Sequence, residues 1–189
     1  MSHFSKRIFV GVSSWALFMI ASSLPAADKS EADLIKDLES PKTAVVTRAL
    51  QQLEKGYPNS TNGFAAMKKL LRDPRMEVKR KSARVLGVLH APVSADDITE
   101  ICRLLKASEP DEIIDGLKSL RGLDAPGAVP EIVLLLKHSH PNVIRDACRT
   151  LAVLGRKDVI PSIEPLLSHS RSDVRKDAQD AIFVLRAKS

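Results

Sequence analysis

His138, His140 and His169 are the side chains whose type best suits metal binding, and Cys102 and Cys148 are the ones suited to redox chemistry or a disulfide. A metal site needs three or four ligands converging at about 2.0–2.3 Å. His138 and His140 form an H-x-H pair, but no Asp, Glu or Cys stands close enough in sequence to complete a shell. His169 lies 31 residues after His138, in a segment of similar outline: "LLLKHSHPNVIRDACRTLAVLG" begins at Leu134, and "PLLSHSRSDVRKDAQDAIFVLR" at Pro165. The two rings therefore mark equivalent loops of a repeating scaffold rather than one site. No Gly-rich phosphate loop, nucleophile elbow or Ser/His/Asp spacing is present. The expectation is a chain with no catalytic residue, no metal and no cofactor.

Positioning these residues requires the elements around them. No run alternates polar and apolar residues between turn signals, so no strand is expected. Helical spacing pervades the chain, and a longer period lies over it. The doublets Leu70-Leu71, Leu104-Leu105, Leu135-Leu136 and Leu166-Leu167 are separated by 34, 31 and 31 residues. Leu86, Leu120, Leu151 and Ile182 keep the same separations, and three extra residues in "HAPVSADD" explain the longer first step.

Each unit holds two helices, A and B. Helix A carries Val143, Ala147, Leu151 and Leu154, then Val174, Ala178, Ile182 and Leu185, each set within an arc of about 80°. A small residue recurs in that stripe (Ser82, Gly116, Ala147, Ala178) and permits close helix approach. Helix B begins at Val129-Pro130 and Ile160-Pro161, where proline suits a first turn, and buries its leucine doublet. Gly87, Gly127 and Gly155 are expected in turns. Such a pair cannot cover its own apolar faces, so units must stack. The expected fold is all-α: a right-handed α-α superhelix of about four full helix pairs with half-repeats at both ends.

"PNVIRDACRTLAVLGRKDVIPSIEPLLSHSRSDVRKDAQDAI" resembles the HEAT repeat, in the short form of the phycobilisome lyases. Asp173-Val174-Arg175 with Ala178 matches the start of that family's pattern, and Ile160-Pro161 with Leu166-Leu167 its end. The resemblance covers about residues 31–189 and implies a solenoid; it implies little about function, since many activities share the scaffold. One enzyme on a similar scaffold, deoxyhypusine hydroxylase, holds two irons on repeated His-Glu pairs, and this sequence contains no His-Glu dipeptide. Cys102 on a B helix and Cys148 on an A helix fall in non-adjacent units. They are expected to lie beyond the ~7 Å that a disulfide allows and to stay free.

Residues 1–27 read separately. Lys6-Arg7, the apolar run Ile8–Leu24 and the Pro25-Ala26-Ala27 exit follow the order of a secretory signal peptide. The run is short of the ~20 residues of a membrane span. The expectation is export, periplasmic or extracellular, with residues 28–189 as the solenoid and no stable membrane insertion after signal removal. Loss of Lys6 and Arg7 lowers the net charge of +6 by two, and it leaves only Tyr57, Phe64 and Phe183 as aromatics. That combination disfavours nucleic acid.

The expected partner is another protein. The outer surface carries Arg80, Arg84, Arg145 and Arg149, with Asp115, Asp146 and Asp177 set to face them from neighbouring units as a charge ladder. The B-helix surface presents Lys69, Arg72 and Arg103, then Leu134, changing from basic to partly apolar. This suits an extended peptide on the concave face. The partner-binding candidates are therefore Lys69, Arg72, Arg103 and Leu134, with Arg145 and Arg149 as the convex alternative. The function expected is a non-catalytic interaction module or assembly scaffold. The alternative is an enzyme accessory or lyase-like subunit holding a small ligand in the groove.

Overall fold

The computed structural model describes residues 29–188, so the expected signal segment lies outside the described residues. Ten α-helices follow one another: α1 Glu31–Asp37, α2 Thr43–Gly56, α3 Thr61–Leu70, α4 Met76–Val88, α5 Ala95–Cys102, α6 Pro110–Gly122, α7 Val129–Leu134, α8 Pro141–Leu154, α9 Ile160–Ile163 and α10 Ser172–Ala187. There is no strand among the described residues. The even-numbered helices are the A helices, and each packs on the next: α2 on α4, α4 on α6, α6 on α8, α8 on α10. The odd-numbered ones are the B helices. Among the described residues, α1 has no A helix before it and α10 has no B helix after it.

The B helices are less regular than their spacing implies. Three of them tighten into 3₁₀ turns at the leucine doublet: Arg103–Lys106 after α5, Leu135–Lys137 after α7, and Glu164–Ser168 after α9. The tighter turn supplies hydrogen bonds to carbonyls at a helix end, where α-helical partners run out.

One core runs the length of the stack. Val143, Ala147, Leu151, Val174, Ala178 and Leu185 are fully buried, as their stripe requires. The small stripe residues do permit close contact. A Cβ on Gly116 would stand 3.0 Å from Leu104 Cβ. Ser82, also fully buried, donates from Oγ to Met67 O at 2.7 Å and ties α4 to α3. Leu167 departs from expectation: it is 44% exposed, whereas Leu71, Leu105 and Leu136, the second leucines of the other doublets, are buried. Phe183 and Val184 are exposed on α10.

Gly87 is another correction. It lies inside α4, buried, not in a turn. A Cβ there would meet Ser119 O at 2.9 Å, and one on Gly122 would meet Gly87 O at 2.4 Å. Backbone touches backbone at this crossing, so the absent side chains set the α4–α6 distance. The turns themselves use His90 and Asp124, equivalent residues 34 apart that both adopt φ 48°. Each lets the following amide bond back into its helix, Ala91 N to Leu86 O at 3.0 Å and Ala125 N to Leu120 O at 3.2 Å. This is the left-handed helix stop that glycine adopts most cheaply.

Opposite effects are expected at two neighbouring positions. Gly122→Ala should lose about 1–3 kcal/mol by forcing α4 and α6 apart. Asp124→Gly, which relieves the left-handed backbone at an exposed residue, should gain up to about 1 kcal/mol. Urea denaturation of both variants checks this, and equal signs would refute it.

Candidate functional site

The A layer carries the charge ladder. Asp177 on α10 is nearly buried and receives both Arg145 Nε at 2.7 Å and Arg149 Nη2 at 3.1 Å from α8. Arg145 also reaches Asp173 at 3.3 Å. At the α4–α6 junction Arg80 meets Asp115 at 3.2 Å. Two arginines four residues apart share one face of α8, so a single carboxylate from the next unit can sit between them. Arg145 and Arg149 are thus committed to the α8–α10 junction. Reversing them would disturb the fold as well as the surface, because Asp177 is buried and has little water to fall back on. Ile114, which holds the register position of Arg80 and Arg145 in its own unit, is buried.

The B layer presents an ordered row. Lys69, Arg103, Leu134 and Pro165 each precede a leucine doublet, so the repeat brings them to equivalent places on successive B segments, and all four are exposed. Leu134 is 72% exposed, far more than an aliphatic side chain in a core-facing helix. Behind the row, α5 supplies two buried carboxylates, Asp97 and Glu100. Glu100 Oε2 lies 3.0 Å from Arg103, and its Oε1 lies 3.8 Å from Arg72. Asp97 reaches Arg72 at 3.5 Å. Asp97 is also half of a capping box: Ser94 N donates to Asp97 Oδ2 at 3.0 Å, and Asp97 N donates to Ser94 Oγ at 3.2 Å. Burial would raise the Asp97 carboxyl, but the Ser94 and Arg72 hydrogen bonds outweigh it and hold the carboxyl below its ordinary range. Arg72 and Arg103 are therefore oriented, whereas Lys69 and Leu134 project freely. Lys69 also lines a cleft of about 350 Å³ with Ile35, Leu38 and Asn62.

The structure adds residues that the repeat pattern did not single out. Arg75 forks onto Asp73 at 2.9 and 2.7 Å, and its Nη1 donates to Ser40 O and Pro41 O at 3.2 and 3.0 Å. It thereby clamps the turn before α2. Arg171 forks onto Asp173 at 3.1 and 2.8 Å, and Arg175 donates to His169 O and Ser170 O at 2.7 and 2.8 Å. Lys188 Nζ donates to Gly155 O at 2.8 Å and to Val153 O, pinning the end of α10 to α8. The Arg-x-Asp and Asp-x-Arg spacings were the only trace of these clamps in the sequence.

The histidines hold turns. His138 Nδ1 accepts from His140 N at 2.9 Å, and His169 Nδ1 accepts from Arg171 N at 3.1 Å, the same bond in successive units. Among the described residues no group of three or more His, Cys, Asp or Glu could hold a metal. Cys102 and Cys148 are both free. Burial pushes their thiols up, to about 11 and about 12, so neither has thiolate character near neutrality.

Two stacked layers of helices, with short connections and one continuous core, define an α-helical repeat solenoid. The description HEAT repeats matches residues 99–182, in keeping with the all-helical repeat architecture seen here. No curated protein matches it in sequence. Among solved structures it is similar to the complex of CpcE and CpcF of phycocyanin lyase from Nostoc sp. PCC7120, with TM-score 0.70 and 21% identity over 88% of this chain and 70% of that one. It is also similar to a designed armadillo repeat protein in complex with peptide (KR)4, with TM-score 0.62 and 18% identity over 90% of this chain and 84% of that one. An engineered protein gives TM-score 0.62 at 23% identity, over 90% and 87% of the two chains. At these identities the likeness is one of fold. No helix among the described residues is long and apolar enough to cross a membrane.

Arg145→Glu with Arg149→Glu should cost at least about 2 kcal/mol in chemical denaturation, since Asp177 would be left facing like charges; an unchanged denaturation midpoint would show that the ladder is decorative. Acid should also weaken the fold. The Arg75 hydrogen bond holds the Asp73 carboxyl low, the Ser94 and Arg72 bonds do so for Asp97, and the Arg171 fork brings Asp173 to about 2. Groups whose folded pKa is depressed stabilise the fold above the unfolded pKa and lose that contribution as pH falls through the folded one. The melting temperature should therefore drop between pH 4 and pH 2, and a flat profile there would contradict these bonds.

Proposed function

We propose that the protein is a non-catalytic interaction module or assembly scaffold that lays an extended segment of another protein along its B layer. The observation that carries this reading is the row Lys69, Arg103, Leu134 and Pro165, exposed at equivalent places on four successive B segments. A repeat surface of this kind meets an extended chain one contact per unit, and it is preformed, so little ordering cost opposes association. Basic residues at one end and Leu134 beyond them suit a peptide that is acidic first and apolar after. Asp97 and Glu100 support the role by fixing the guanidinium groups nearby. The solenoid likeness is compatible with such use: one similar structure is a designed repeat protein bound to a peptide.

Export belongs to the same proposal. Lys6-Arg7, the run Ile8–Leu24 and Ala26-Ala27 support removal of the first segment and a periplasmic or extracellular location. The competing reading, a lyase-like accessory subunit, would place a small ligand rather than a peptide in the groove.

An oligoglutamate peptide ending in leucine is a suitable probe. Lys69→Glu combined with Arg103→Ala should lower its affinity roughly tenfold or more, mainly by faster dissociation, and Leu134→Ser should lower it further. Arg84→Ala on the opposite layer should leave it unchanged. Equal binding by all variants would move the site off the B layer. Purified exported protein should begin at Ala27 or Asp28, and an intact Met1 on cytoplasmic protein would exclude export.

A further inference from the structure

Two of the four A-layer junctions follow one register rule; at α6–α8 Ile114 stands in the arginine's place, and at α2–α4 a base replaces the acid. Arg80 pairs with Asp115 where α4 meets α6, and Arg145 pairs with Asp177 where α8 meets α10. In both cases the arginine lies two residues after the buried valine that opens its stripe, Val78 or Val143. The acid lies one residue before the small buried residue of the next stripe, Gly116 or Ala178. The α2–α4 junction has the same layout. Arg48 lies two residues after fully buried Val46, and α4 presents Lys81 one residue before fully buried Ser82. A base stands where the rule requires an acid.

The consequence is visible in the surface. Arg48 and Lys81 line one cleft of about 430 Å³, with Arg80, Arg84, Glu77 and Asp115 around them. Asp115 is taken by Arg80. Among the described residues, no carboxylate lies within ion-pairing distance of Arg48, Lys81 or Arg84. Lys81 is half-buried, so water screens it less than a freely exposed lysine. Like charges brought together across a packed junction oppose its formation, and a bound anion relieves them.

We propose that this cleft binds a tetrahedral dianion of the phosphate class, which takes the place of the missing ladder carboxylate. Four cations against two carboxylates leave two positive charges to be met, the charge of a phosphate dianion. The guanidinium groups of Arg48 and Arg84 and the Lys81 ammonium together offer far more donors than the roughly four acceptor positions of one carboxylate. Arginine forks also match phosphoryl oxygens in bidentate geometry. The cleft lies on the layer opposite the peptide row, so it stands or falls independently of that reading.

Titration of the full chain with inorganic phosphate, at ionic strength held constant with sodium chloride, tests the assignment. Saturable amide shifts should appear in α2 and α4, and the melting temperature should rise with phosphate. Lys81→Asp restores the ladder acid opposite Arg48. It should raise the melting temperature without phosphate and weaken phosphate binding roughly tenfold or more. Lys118→Asp makes the same charge change at an exposed site outside the cleft and should alter neither. Lys81→Met, which removes only the charge, should weaken binding if Lys81→Asp cannot be purified. Acetate at the same concentration should bind more weakly than phosphate. Equal loss in Lys81→Asp and Lys118→Asp, equal binding of acetate, or shifts that never saturate would overturn the proposal. Loss of phosphate binding in Lys81→Asp with oligoglutamate binding intact would separate the two surfaces.

Discussion

A pair of short helices has two apolar faces and can cover only one of them, so every unit of this chain depends on its neighbour. The stripe of α8 is buried because α6 and α10 flank it, and the same relation holds from α2 onward. Apolar burial at about 25 cal/mol per Å² supplies the drive, but small residues determine how closely helices approach. Gly87 and Gly122 let the α4 and α6 backbones touch, and Gly116 admits Leu104. In the last described unit Leu167, Phe183 and Val184 are exposed.

Charge is arranged on this framework as a second, junction-by-junction layer of order. Asp177 joins α10 to α8 through two arginines, and Asp115 joins α6 to α4 through one. Clamps at the ends work differently, through arginine and lysine donors to backbone carbonyls: Arg75 to Ser40 and Pro41, Lys188 to Gly155. These donors satisfy carbonyls at helix ends and turns, where backbone partners run out. Side chains that are half-buried in such junctions are poor candidates for partner contact, since they are already occupied.

The B-layer row and the basic α2–α4 junction are the charged surfaces that these pairs leave open. The B-layer row mixes held and free groups: Arg103 is positioned by Glu100, and Leu134 is largely exposed. A preformed surface of that kind favours affinity by limiting what must be ordered on binding. The histidines and cysteines take no part in it. His138 and His169 serve as acceptors for backbone amides in equivalent turns, and both thiols are held protonated by burial.

The period, the helix pairing, the buried stripes and the HEAT-like fold were legible in the sequence alone, because each rests on apolar spacing within a helix or on its exact recurrence in the next unit. Even the role of the histidines as turn residues could be read from their recurrence. The sequence could place arginines and aspartates on helix faces but could not say which of them meet. Asp177 lies 32 residues after Arg145 and 28 after Arg149, and whether they form a junction depends on the axial offset between packed helices. The same offset brought Ile114 into the core, Gly87 against Ser119, and Lys81 into one cleft with Arg48. Those outcomes belong to the tertiary structure, since register between helices is fixed by how side chains interlock and not by any pattern within one helix.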